Sequence, residues 1–249
     1  MDVIEHALIL RIQNFWPVSW FAPGPYVPDH VTLAWLVMLF LAIVSYLATR
    51  NLQAVPAGVQ NVMEVAVEEM GNFVESVIGP KGRRYLWLLG GIALFILCGN
   101  LMGIIPGLST PTSNWNTTLA LALTIFIAYN AIGMIEHGVG PYLKHFCGPV
   151  PALAPIMVPI ELIGHLARPV SLSIRLFGNM FGEHTVTAIL LSLWALVIPY
   201  LIYLGLVLWL GLFVAVVQTF VFVMLSCVYI AGALEGAHGE DHGHGEKHQ

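Results

Sequence analysis

Between Ala152 and Leu234 the chain carries only four charged residues, Glu161, Arg168, Arg175 and Glu183. Their surroundings are apolar, and an ionisable side chain at membrane depth costs roughly 2.5–3.5 kcal/mol on insertion scales. Groups held at that cost have chemistry to do: passing a proton or ion, or pairing with a charged partner. At roughly 100° per residue, Glu161, His165, Arg168, Ser171, Arg175 and Asn179 share one helical stripe about 120° wide. Glu183 lies at its margin and His184 on the opposite side from Arg175, although Pro169 makes the wheel approximate. A polar stripe of this length suits a water-filled path or a polar partner and not lipid. Two readings stand for Glu161 and Arg168: they belong to that path, or they snorkel to the membrane interface. Arg175, seven residues deeper than Arg168, is either functional or paired to another polar group for packing. Gln218 sits near the middle of an almost wholly apolar arm, 200–234. It either bonds a neighbouring helix as packing glue or holds Arg175 across a hairpin at Pro199. Arg175 is 24 residues before that proline and Gln218 is 19 after it, so the two reach comparable depth.

The elements that must position these groups follow from composition. Of 249 residues, 58% are hydrophobic and 9% charged, where a soluble domain carries about 25% charged residues. The chain is therefore read as an all-α integral membrane protein forming a single membrane domain over 1–249. About 20 apolar residues are needed for each crossing. The segment 31–49 is a first span. The uncharged run from Tyr85 to Ile135 is broken by the turn signals of Pro106 to Asn114, giving spans at 85–105 and 117–136. Two longer arms, 153–198 and 200–234, meet at Pro199 and call for tilt. Residues 57–79 place Val59, Val62, Met63, Ala66, Val67, Met70, Phe73, Val74 and Val77 at helical spacing, with Gln60, Asn61, Glu64, Glu68, Glu75 and Ser76 on much of the other face. That is an amphipathic surface helix; its acidity argues against attraction to anionic lipid and leaves a partner subunit as an equal reading. Arg50, Lys81, Arg83, Arg84 and Lys144 all flank one side of the spans, so the positive-inside rule puts the 1–30 segment outside and the C-terminus in the cytoplasm.

Other classes are narrowed as well. The net charge of −5 has no basic patch, which excludes a nucleic-acid partner. Cys98, Cys147 and Cys227 lie far apart and form neither a disulfide framework nor a zinc site. The tail 235–249 is His-rich; a weak metal-binding reading yields to a solvated tail, and neither a metal nor a cofactor is expected. The MDVIEH start has no secretory or transit signature, so residue 1 is taken as part of the mature chain. No phosphate-binding GxxxxGK[ST] loop or nucleophile elbow points to a soluble type of enzyme. The residues alone leave three classes open: an ion-conducting stator, a secondary transporter with an Arg–carboxylate site, and an assembly protein.

The run from Arg168 to Met180, RPVSLSIRLFGNM, resembles subunit a of the bacterial F-type ATP synthase, and so do Gln218 to Leu225, QTFVFVML, and Gly99 to Pro106, GNLMGIIP. The resemblance covers nearly the whole chain. It implies five transmembrane helices with one surface helix, the last two long and tilted around a ring of c subunits, in a multi-pass protein of the bacterial inner membrane. It implies a non-catalytic subunit, with ATP chemistry residing elsewhere in the complex and b-subunit stalk helices among its partners. It also implies two offset aqueous half-channels for protons, separated by an essential arginine that Arg175 matches. Gln218 matches the glutamine beside it and Asn179 the asparagine one turn on. Glu161 matches an acidic residue of the cytoplasmic half-channel, near Ser171, and Asn100 a polar residue of the outer one; His165 and Asn116 are grouped with the half-channel residues. The chain departs from the family at Gly103, where some members carry aspartate, and at Gly211, where some carry histidine. It also has Glu183 then His184 where many have glycine then glutamate. The outer relay is therefore expected to run through Glu183 and His184, with the titrating member left open.

Overall fold

The computed structural model describes residues 29–50, 52–53, 55–56, 58–104, 110–145, 154–193, 205 and 208–235. Among them the regular structure is helical: α1 Asp29–Thr49, α2 Val59–Ile78, α3 Leu86–Met102, α4 Trp115–His137, α5 Val139–His145, α6 Ala154–Leu193 and α7 Leu208–Glu235. Short 3-10 turns at Gly82–Tyr85 and Pro111–Ser113 precede α3 and α4. This is an all-α membrane protein. Four stretches among the described residues are long and apolar enough to cross a membrane: His30–Thr49, Gly82–Met102, Trp115–His137 and Leu208–Leu234. The 40-residue α6 runs unbroken through Pro159 and Pro169. At a rise of about 1.5 Å per residue it is about 60 Å long, roughly twice the hydrocarbon thickness. Its four charges set it apart from the plainly apolar helices. The hairpin expected at Pro199, the Pro106 to Ser109 part of the turn, Cys147 and the His-rich tail lie outside the described residues.

The chain divides into two compact units, and the division passes within helices. One unit comprises Met1–Glu64, Ala93–Thr118 and Leu176–Thr219; the other comprises Val65–Ile92, Leu119–Arg175 and Phe220–Gln249. In the first, α1 touches the Pro111–Ser113 turn, and Trp115 meets Phe177 edge-on at 5.8 Å. Its interior mixes Ala93, Ile96, Leu176, Met180 and Ala215 with Asn100, Thr110, Thr112, Thr118, Gln218 and Thr219. In the second, Val74, Leu89, Ala122, Ile125, Leu172, Phe222, Val223, Cys227 and Ile230 are buried. Arg84, in the 3-10 turn before α3, pairs with Glu136 at the end of α4. Phe73 of α2 packs on Phe220 of α7 at 5.3 Å.

Outside the interior, the apolar side chains of α1 and α7 are uncovered, among them Met38, Leu39, Phe40, Trp209 and Phe213. An exposed apolar surface of that kind requires lipid as its solvent. Along α2 the apolar stripe is covered only in part: Val74 is buried, whereas Val59, Val62 and Val67 are exposed.

Glycine sets the corner after α2. Gly79 adopts φ +92°, and its N–H closes on the Glu75 carbonyl at 2.9 Å, the left-handed C-cap arrangement. Gly82 follows, where a Cβ would lie 2.8 Å from Ile78 Cβ and 3.0 Å from the Val74 carbonyl. Gly91 of α3 has nothing within 4 Å of an added Cβ. Gly79→Ala is therefore expected to destabilise the protein by about 1–2 kcal/mol, and Gly82→Ala to lower its thermal midpoint as well. Gly91→Ala should leave the midpoint unchanged or raise it, as read by thermal unfolding of the detergent-solubilised protein.

Candidate functional site

Helical periodicity gives α6 two unlike faces. His165, Pro169, Leu172, Ser173, Leu176 and Met180 are buried, and at about 100° per residue they form one stripe. The opposite face carries Gly164, Ala167, Ser171, Arg175, Gly178 and Gly182. Of these only Gly182 is half-buried; the rest are exposed. A Cβ added at Gly164, Gly178 or Gly182 would meet nothing within 4 Å. The polar stripe read from the sequence is thus divided: His165 is buried and Arg168 half-buried, while Glu161, Ser171, Arg175 and Asn179 are exposed. Arg175 forms no ion pair among the described residues.

One turn beyond Arg175, Asn179 donates its side-chain N–H to Oε1 of Gln218. Gln218 is 2% exposed, and its Nε2 finds no acceptor among the described residues. Asn179, Glu183, Gln218 and the apolar Val186, Phe213 and Val217 line a cleft of about 270 Å³. Glu183, one turn further along α6, sits against Gly211 of α7: a Cβ there would lie 2.5 Å from Glu183 Oε1. Gly211 thus gives the carboxyl its space. On another side of α6, His184 Nε2 lies 3.1 Å from the Thr110 hydroxyl. Thr110 in turn occupies the volume a side chain at residue 103 would need, since a Cβ on Gly103 would collide with Thr110 Cγ2. Asn100 accepts the Thr112 hydroxyl at 2.6 Å through Oδ1, and its buried Nδ2 has no acceptor among the described residues. Asn116 is exposed at the start of α4, and its backbone N–H donates to Asn114 Oδ1 at 2.9 Å; no hydrogen bond joins it to Asn100, Glu183 or His184.

In the other unit, His165 is 8% exposed and lies against α4. Its Nε2 is 2.8 Å from Asn130 Oδ1 and 3.3 Å from the Tyr129 hydroxyl. The Arg168 guanidinium stands 5.5 Å from the Tyr229 ring centroid, a cation–π arrangement. Tyr142, on α5, donates its hydroxyl to Asn130 Oδ1 at 2.8 Å. Burial pushes the Tyr142 phenol up from its ordinary value, so it remains a donor at neutral pH.

Sequence reasoning did not anticipate Thr110, Thr112, Asn130, Tyr129 or Tyr142. The threonines belong to a string that reads as a turn, and a turn signal says nothing about which helix its hydroxyls meet. Asn130 and Tyr142 are 12 residues apart across a glycine corner at Gly138, φ +81°. The detectable signal was Asn130 itself, an amide within an otherwise apolar span.

Sequence comparison accords with this geometry. A model described as ATP synthase A chain matches residues 31–231. "ATP synthase subunit a 1" of Syntrophotalea carbinolica is 51% identical over 209 residues, covering 84% of this chain and 87% of the relative. "ATP synthase subunit a" of Geobacter sulfurreducens is 47% identical over 210 residues, covering 84% of this chain and 89% of the relative. The protein of the same name in Sulfurihydrogenibium sp. is 45% identical over 209 residues, covering 98% of its own length. With its all-α architecture, its Arg175 helix and these matches, the chain belongs to the ATP synthase A chain family.

Proposed function

We propose that this chain is the proton-translocating stator of a rotary ATP synthase, working against a ring of c subunits and braced by b-subunit helices. It is multi-pass in the bacterial inner membrane, with α6 as its fourth crossing and α7 as its fifth, the N-terminus outside and the C-terminus in the cytoplasm. The observation that carries the reading is Arg175: a permanent cation exposed on a helix face otherwise built of Gly164, Ala167, Ser171, Gly178 and Gly182. Small residues let a second helix approach closely in a membrane. Arginine remains charged at any physiological pH, so it attracts an ionised rotor carboxylate without relaying a proton itself. A proton therefore has no direct way through and must ride on the rotor between two half-channels.

Glu161 and Ser171 lead to Arg175 from the cytoplasmic side in this scheme. Asn100, Glu183 and His184 serve the outer half-channel, with Asn116 near its mouth. The contacts of Glu183 with Gly211 and of His184 with Thr110 support a relay whose titratable members both sit on α6. They also give the departures at 103 and 211 a physical reason, because larger residues there would collide with Thr110 and Glu183. Asn179 and Gln218 hold one another by a side-chain hydrogen bond, which fixes the polar surface one turn beyond Arg175. A membrane potential supplies about 2.3 kcal/mol per proton per 100 mV, enough to bias the direction in which the ring steps.

Arg175→Ala in the assembled complex should abolish ATP synthesis driven by an imposed proton gradient while leaving ATP hydrolysis by the catalytic head intact. Wild-type coupling in that variant would sink the stator reading. Replacing Glu183 and His184 separately by Gln should slow proton pumping or move its pH profile for at least one of them. If pumping rate and pH profile both stay at wild-type values in the two variants, the outer relay does not run through this pair.

A further inference from the structure

The sequence groups His165 with Arg175 on one polar stripe, yet the structure gives it the neighbours of a hydrogen-bond donor built into the core. Asn130 on α4 has its amide oriented by its own helix, since Nδ2 donates to the Phe126 carbonyl at 2.7 Å. Oδ1 is left facing α6, and a carbonyl oxygen only accepts. It receives the Tyr142 hydroxyl at 2.8 Å and lies 2.8 Å from His165 Nε2. Nε2 must therefore carry a hydrogen, and the two acceptor sites of the Asn130 oxygen are filled. The imidazole is further fixed by Phe126 and Tyr129, each with its ring 5.2 Å away. Gly133 clears the space for the strap from α5, because a Cβ there would lie 2.5 Å from Tyr142 Cε2.

A ring that passes a proton through itself must surrender Nε2–H at each transfer. Here that loss would set a nitrogen lone pair against a carbonyl oxygen at hydrogen-bond distance, in a buried setting where such repulsion is weakly screened. Among the described residues, the polar groups near the ring also include Tyr129 on α4 and Glu161 and Arg168 on α6 itself. A second positive charge on the ring would stand one turn from the Arg168 guanidinium. What a fixed donor at this place does accomplish is rotational. His165 and Arg175 are ten residues apart on one continuous helix, hence about 80° apart around its axis. Anchoring His165 to α4 and α5 holds that half of α6 from turning and so sets the direction in which Arg175 projects.

We propose that His165 is a positioning residue, a strut running from α6 through Asn130 to Tyr142 that aims Arg175, and that it carries no transported proton. The inference rests on the stator reading of Arg175. The test uses the assembled complex in liposomes, with ATP synthesis driven by an imposed gradient and followed across a pH range. The amount of this chain in the purified complex is measured alongside. His165→Gln retains an amide N–H of similar reach but cannot titrate. It is expected to keep synthesis within about twofold of wild type with the same pH profile. His165→Leu removes the donor and leaves a filled position short of one partner, so synthesis should fall about tenfold or more at equal assembly. Tyr142→Phe removes the second donor without touching α6 and should lower synthesis by roughly two- to fivefold; it carries the test if the Leu variant fails to assemble. A displaced pH profile in His165→Gln, or Gln as impaired as Leu, would overturn the proposal in favour of a relay. Wild-type synthesis in His165→Leu or in Tyr142→Phe would overturn it in favour of no role. Arg175→Ala in the same preparation separates the two levels: full coupling there removes the stator reading whatever the His165 variants do.

Discussion

How α6 is rotated about its own axis decides what the charge on Arg175 meets. One stripe of that helix is buried, with Leu172, Leu176 and Met180 almost wholly enclosed. The opposite stripe carries the guanidinium among residues too small to cover it. A half-turn of the helix, about 180° or two residues' worth of rotation, would exchange these faces, placing an arginine in the interior and leucines on the open side. Loss of apolar burial and the cost of burying a guanidinium both oppose this. Directional bonds add an angular constraint that apolar contacts lack, and α6 has them from His165 to Asn130 and from Asn179 to Gln218.

The polar interior is arranged around missing side chains as much as around present ones. Glycine at 211 admits a carboxylate, and glycine at 103 admits a threonine that meets an imidazole. In each case the polar atom belongs to one element and the vacancy to another, so a substitution on either side disturbs both. The amide nitrogens of Asn100 and Gln218 are left without acceptors among the described residues. A buried donor in that condition costs about 1–3 kcal/mol. Both belong to the residues that the sequence singles out as candidates for chemistry.

The helical architecture was legible because apolar runs of membrane length have few alternatives. The α2 helix was legible because the periodicity changes character after residue 57. Arg175, Asn179 and Gln218 announced themselves as polar groups in apolar helices. What the residues could not reveal was pairing across sequence distance. That Glu183 faces Gly211, or that His184 meets Thr110, follows from helix rotation, and rotation is not written in hydropathy. Angle groups His165 with a polar stripe, but angle alone does not say which half of a stripe turns inward. The α5 helix escaped notice for a different reason: seven residues give less than two full periods, too few for a pattern to declare itself.

α1 stands apart from all of this. Among its described side chains Val37 and Ala48 are buried, while Trp35, Met38, Leu39, Phe40, Ile43, Tyr46 and Leu47 face outward. Its identity is therefore owed to the hydrocarbon around it more than to any neighbour in the fold. Hydrocarbon does not distinguish leucine from isoleucine or phenylalanine, so the helix is free to wander through the apolar alphabet over evolutionary time. Descendants of this chain should diverge fastest there, while the open face of α6, where a single methyl group would narrow the approach to Arg175, stays still.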